Sequence, residues 1–296
     1  MSSPAPGSET VSLSKAIGWS VAFMLLGIAM SAFLMSLWAL LAYGDVARGL
    51  GVLVEPGPAQ TIVAGSAQLL GFAFATWVIG FRVLRLGRAD LRWFRAGSGA
   101  PGLMTGLAVG AGAAGVALLA SVLVANSHWS RDAGGMADYL SQVLKTSLVL
   151  APAALSEEFM FRGLPLVLLA AAIGRGTALV VVCGLVFAIF HGLNPGITAL
   201  GLGNIALAGI FLGVAFYAPG GLWTAFGAHL GWNATLAALD APVSGLPFSI
   251  PLIDYRAGDP VWLSGGRFGP EGGLLATGAI TGALLIMVRW ARQDPS

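Results

Sequence analysis

Charge is scarce in this sequence. Only 9% of its 296 residues are Asp, Glu, Lys or Arg, while 57% are hydrophobic. A soluble domain carries about 25% charged residues, so a water-facing surface is excluded for most of the chain. With a mean hydropathy of +0.85, it reads as a polytopic membrane protein. Cysteine is nearly absent. Cys183 stands alone in an apolar run, which excludes both a disulfide framework and a Cys-based zinc site. The compact H-E-x-x-H arrangement of zinc proteases is also missing. Lysine is rare, with only Lys15 and Lys145 against thirteen arginines. That bias, with abundant Ala and Gly, fits a GC-rich bacterial genome and hence an inner membrane.

A spanning helix needs roughly 20 mostly apolar residues. Eight segments qualify: about 17–43, 60–81, 102–125, 142–164 (with a continuation to 173), 177–193, 197–217, 221–239 and 273–290. The fold class expected is therefore all-α, with about eight transmembrane helices. Pro/Gly clusters punctuate them at 55–58, 194–196 and 218–221. Residues 1–15 read as a disordered tail, with no cleavable signal peptide behind it. Residues 16–140 hold three spans without a motif, 141–239 the motif-bearing core, 240–272 an outer loop, and 273–296 the last span and tail. The loop 240–272 is either a plain tether, the simpler reading, or a lid.

Orientation follows from Lys and Arg in the loops. With both termini inside, nine cations lie on the inner side: Lys15, Arg82, Arg85, Arg88, Arg92, Arg95, Arg175, Arg289 and Arg292. The outer loops keep four: Arg48, Arg131, Arg256 and Arg267. Cytoplasmic termini are expected, with the run 82–95 as a cytoplasmic anchor rather than a nucleic-acid patch.

Against this apolar background, "SEEFMFRG" at 156–163 is conspicuous. Three buried formal charges cost several kcal/mol unless paired or put to use. Glu158 and Arg162 are four residues apart, in the favourable order for a helical ion pair. Glu157, turned about 100° around the helix, keeps no cation of its own and is free to exchange a proton. Two more pairs share the spacing: Phe187 with His191 in "FAIFH", and His229 with Asn233 in "HLGWN". Residues at i and i+4 lie on one face, so each pair can point into a common intramembrane chamber. The turn "GRG" at 174–176 reinforces this. Glu157 and His191 each lie 17 residues from Gly174, and one continuous helix over 142–173 would set them at equal height. Asn204 is expected to make a helix–helix hydrogen bond. His128 has no assigned role, and Ser156 has no evident partner.

The motifs "EEFMFRG", "FAIFH" and "HLGWN", with "GGLW" at 220–223, resemble the CAAX-protease and bacteriocin-processing family of intramembrane glutamic endopeptidases, also called the abortive-infection family. The likeness covers about 147–238. It implies Glu157 as the residue that activates water, with His191 positioning that water. His229 and Asn233 would stabilise the oxyanion, Glu158 and Arg162 would hold the geometry, and Phe187 would pack beneath the chamber.

The expected function is hydrolysis of a peptide bond in a membrane-associated peptide or protein. The bilayer is the other partner, nucleic acid is not one, and no cofactor is needed. Zinc on His191, His229 and a glutamate is the metal alternative. Two non-hydrolytic alternatives stand beside this. One is a peptide-binding or immunity protein on the same scaffold. The other is a proton-coupled carrier, which would show repeated halves with broken helices.

Overall fold

The computed structural model describes residues 11–54, 57–93 and 98–292. Residues 1–10 of the expected tail, Glu55 and Pro56 of the first Pro/Gly cluster, and Arg95 lie outside them. The chain runs through α1 (Leu13–Tyr43), the short α2 (Val46–Val52), α3 (Pro58–Ala75) with a π-helical continuation (Thr76–Val83), and α4 (Gly99–Ala125). Strand β1 (His128–Arg131) precedes α5 (Met136–Arg162), α6 (Leu164–Ile173), α7 (Thr177–Phe190), α8 (Ala199–Tyr217) and α9 (Leu222–Ala238). Strand β2 (Ile253–Arg256), the single turn α10 (Val261–Ser264), two 3-10 turns and α11 (Leu274–Ala291) complete it. The protein is nearly all-α, as expected.

Among the described residues five helices are long and apolar enough to cross a membrane: Leu13–Tyr43, Pro58–Val83, Gly99–Ala125, Ala199–Tyr217 and Leu274–Ala291. The other three expected segments are helices as well. Of these, α7 and α9 are shorter, with 14 and 17 residues, and α5 carries the charged motif. Apolar side chains such as Leu41, Leu123 and Ile189 face outward, as a lipid-facing surface requires.

Local chemistry sets the helix ends. The Ser12 side chain accepts the Lys15 N–H, so α1 starts inside the expected tail. At its other end Gly44 adopts φ 68°, and its N–H reaches Leu40 O. Glycine adopts that left-handed geometry without a Cβ penalty.

The helix expected over 142–164 does not continue unbroken to 173, the condition on which the equal heights depended. It stops at Arg162, and α6 restarts at Leu164 with Pro165 in its first turn. Proline lacks the N–H that a continuing helix needs, and its ring clashes with the carbonyl four residues back. The equal-height argument from residue counting therefore loses its premise.

A stripe of small residues fixes the core. Gly102, Gly106 and Gly110 of α4 face α9, whose Gly227 and Gly231 face back toward Leu103 and Leu107. A methyl on Gly106 would lie 2.2 Å from Thr224 O, and one on Gly110 only 2.0 Å from Ala228 O. Backbones approach this closely only where both faces are small. Helix α9 also packs on α5, α5 on α3, α7 on α8, and α8 on α11.

The bundle has two distinct ends. At one, β1 pairs antiparallel with β2, and Asn194 Nδ2 donates to Ser244 O (3.1 Å). Segment 240–272 is packed rather than a plain tether. Ile250, Tyr255 and Phe268 are buried, and the Asp240 carboxylate accepts the N–H groups of Ile250 and Tyr255. At the other end lies Arg92, which is 6% exposed and is no surface anchor. Its guanidinium donates to the carbonyls of Phe216, Tyr217 and Ala218, latching the turn between α8 and α9. Orphan carbonyls at a helix end need such donors, and that need draws this arginine inward.

Candidate active site

Glu157 and Glu158 sit one turn before the end of α5, on the side that packs against α9. Glu158 and Arg162 are both fully buried, and Arg162 Nη1 donates to Glu158 Oε1 at 3.1 Å. Arg162 Nη2 donates to Gly209 O on α8 (3.0 Å), and its Cζ lies 4.4 Å from the centroid of the Phe187 ring. The guanidinium thus has a carboxylate, a carbonyl and an aromatic face, each of which offsets desolvation.

Glu158 does more than its spacing suggested. The same Oε1 accepts a hydrogen bond from His229 Nδ1 at 2.8 Å. This fixes the ring's orientation and directs Nε2 elsewhere. His191 is held by a different device. Helix α7 ends at Phe190, so His191 is a C-cap residue rather than a mid-helix one, and its Nδ1 donates to Phe187 O (2.9 Å). The Phe187 ring stacks 4.4 Å from the His191 ring and 6.1 Å, edge-on, from His229.

With both Nδ1 atoms committed, the two Nε2 atoms converge on one oxygen. Glu157 Oε2 lies 3.7 Å from His191 Nε2 and 3.7 Å from His229 Nε2. Those separations are too long for direct hydrogen bonds, and Oε2 has no partner of its own. Asn233, one turn beyond His229, lines the same chamber. The structure therefore brings together Glu157, Glu158, Arg162, Phe187, His191, His229 and Asn233. The arrangement offers a carboxylate and two oriented imidazoles to a small polar group placed among them. No group of three or more His, Cys, Asp or Glu among the described residues is arranged to hold a metal ion.

The chamber has a volume of about 310 Å³, and its lining also includes Gln60, Asn194, Ser244 and Phe248. A smaller cavity of about 30 Å³ adjoins it, reached past His191, His229 and Asn233 and backed by Ile205, Phe211 and Ile280. By volume it holds about two waters.

That second cavity carries a residue missed in the sequence. Glu271, 5% exposed, accepts from Trp232 Nε1 (3.1 Å), from Ser244 Oγ (3.0 Å) and from the Ser244 N–H. Its carbonyl accepts from Asn204 Nδ2 (2.8 Å). Asn204 also takes the Thr277 hydroxyl of α11 (2.6 Å), the interhelical bond expected of it. No spacing marked Glu271, because its partners lie 27 to 67 residues away. Ser156 donates within its own helix to Ala153 O, and toward Gln68 Oε1 (3.4 Å). The His128 ring lies 3.3 Å from Asn126 O, away from the chamber lining.

A helical membrane protein with an acid–imidazole cluster buried between its helices is the class that fold and site define. Residues 139–235, about a third of the chain, match the family model described as type II CAAX prenyl endopeptidase Rce1-like. This segment, which holds every motif residue above, is an Rce1-like domain of the CAAX-protease family. No curated protein gives a significant match, and neither does any solved structure.

Proposed function

We propose that this chain is an intramembrane endopeptidase that hydrolyses a peptide bond of a membrane-associated peptide or protein, using water activated by Glu157. The observation that carries the reading is the convergence of two pre-oriented imidazole Nε2 atoms on the unpartnered Glu157 Oε2, at 3.7 Å each. In this reading Glu157 takes a proton from a water that His191 helps to hold, and the oxygen attacks the scissile carbonyl. His229 and Asn233 stabilise the oxyanion. Because His229 Nδ1 already donates to Glu158, its Nε2 can donate only when the ring is doubly protonated, with Glu158 as counter-ion. The proton on Glu157 then passes to the leaving amine. No covalent intermediate and no cofactor enter the scheme.

The same reading makes eight helices membrane-spanning, the five long ones with α5, α7 and α9. Both termini face the cytoplasm, in the inner membrane of a bacterium. Peptide profiling of membranes by mass spectrometry, comparing the wild-type protein with Glu157→Gln, tests the function. Glutamine keeps size and polarity but cannot accept the proton, so cleavage products should vanish while folded protein persists. Asn233→Ala should slow turnover roughly 10²–10³-fold with little change in KM. Full turnover by Glu157→Gln would refute the assignment, and activity lost to a zinc chelator and restored by zinc would replace it with the metal version.

A further inference from the structure

The chamber has a mouth, and the bundle has a basic end. These lie at opposite ends of the molecule. The chamber's lining extends to the start of α3 (Gln60), beyond the close of α7 (Asn194) and to Ser244 and Phe248 of segment 240–272, so its mouth is assigned to the end of the bundle that these share. The antiparallel pairing of β1 with β2 lies at that same end, because β2 belongs to the same segment. At the far end Arg92 bonds the 216–218 carbonyls, and the Arg175 guanidinium lies over the Tyr217 ring at 5.5 Å. Lys15 at the start of α1, and Arg289 and Arg292 at the close of α11, also fall there, since each helix is joined at its other terminus to a mouth-end loop. Among the described residues the far end holds eight Lys and Arg side chains, at 15, 82, 85, 88, 92, 175, 289 and 292. The mouth-end loops hold four, at 48, 131, 256 and 267. Short loops rich in Lys and Arg stay in the cytoplasm.

The lining adds chemistry. Among the described residues Glu157 is its only acidic side chain, and they contribute no Lys or Arg to it. Amides and hydroxyls (Gln60, Gln68, Asn194, Ser244) alternate with apolar walls such as Phe190 and Phe248. Such a wall suits backbone amides and apolar side chains and repels carboxylates, including a chain's C-terminal one.

We infer that the chamber is entered from the non-cytoplasmic face of the membrane, by an apolar peptide segment displayed there that carries no acidic group near its cleavage site. This rests on the proposed protease reading for the cutting, but the face of entry can be judged without it.

The test uses the two ends of α7. Leu193, 98% exposed just beyond the helix at the mouth, and Thr177, exposed at its start, are replaced singly by cysteine. The one native thiol, Cys183, is buried. Cells are treated with a small membrane-impermeant maleimide, before and after permeabilisation. Leu193→Cys should label in intact cells, and Thr177→Cys only after permeabilisation. Labelling of Thr177→Cys in intact cells, or protection of Leu193→Cys until permeabilisation, overturns the inference. In the same cells, peptides lost with Glu157→Gln should map to non-cytoplasmic segments without Asp or Glu at the cut, and cuts confined to cytoplasmic segments would also overturn it. If the peptide profile does not change with Glu157→Gln, the protease reading fails, and the labelling still decides which face the mouth opens on.

Discussion

Gly106→Ala is a single methyl added far in sequence from the charged motifs, and it should damage the site. The methyl would lie 2.2 Å from Thr224 O and 2.8 Å from Ala228 N, both backbone atoms of α9. No rotamer change clears a backbone atom. Ordinary contact begins near 3.4 Å, so α9 must retreat by about 1 Å, a shift that can cost about 100-fold in rate when it reaches reacting groups. His229 follows Ala228 directly, so the shift is delivered to its ring. Overpacking itself costs about 1–3 kcal/mol. Gly112 and Gly115 of the same helix supply the control, since a methyl at either meets nothing within 4 Å. Alanine there should be harmless or stabilising by up to about 1 kcal/mol, from helix propensity alone. The assay is thermal unfolding of detergent-solubilised protein, alongside the peptide cleavage proposed for Glu157. Wild-type unfolding temperature and wild-type cleavage in Gly106→Ala would refute the argument that this contact positions His229.

Two further outcomes follow from the buried polar groups. Arg162→Ala leaves the fully buried Glu158 without its cation, a loss of about 3–5 kcal/mol, and should lower the amount of folded protein in the membrane; unchanged abundance and activity would show that the pair is no clamp. Glu271→Ala removes the acceptor for Trp232 Nε1 and for the Ser244 N–H and hydroxyl. Each stranded donor costs about 1–3 kcal/mol, so segment 240–272 should be cut faster in limited proteolysis, and wild-type resistance there would show that Glu271 does not hold it down.

The site was legible in the sequence because its members repeat one helical spacing in apolar surroundings, where a polar residue must have a partner. Glu158 with Arg162 needs nothing beyond the 3.6-residue period. The second bond of Glu158, to His229, joins residues 71 apart, and no local pattern encodes it. The glycines of α4 lay in plain view as G-x-x-x-G-x-x-x-G from 102 to 110, but a small-residue stripe does not say which helix it meets. Pro165 was also visible as the residue that would break a helix over 142–173, and the helix does stop just before it. Arg92 looked like its neighbours in a basic run, because sequence charge alone does not distinguish an arginine facing lipid headgroups from one capping carbonyls. Segment 240–272 hid its structure for a related reason. Besides its strand pairing and a few buried apolar residues, it is held by single side chains, Asp240 and Glu271, rather than by any periodic face.

One oxygen joins the Glu158–Arg162 pair to the imidazole cluster. Glu158 Oε1 accepts from Arg162 Nη1 and from His229 Nδ1. An isolated Glu–Arg pair in this position would only offset its own desolvation, and an apolar pair of similar volume would serve as well. The shared oxygen changes that comparison. An apolar replacement would leave His229 Nδ1 without an acceptor and its ring free to turn, and Nε2 would lose its aim at Glu157. Arg162 in turn rests on the face of Phe187, whose carbonyl holds His191. The buried arginine therefore contacts both supports that orient the imidazoles, without touching either ring's Nε2. This accounts for charges that the surrounding apolar helix would otherwise exclude: they set the directions of two rings so that a third group, Glu157, is left with an oxygen facing both.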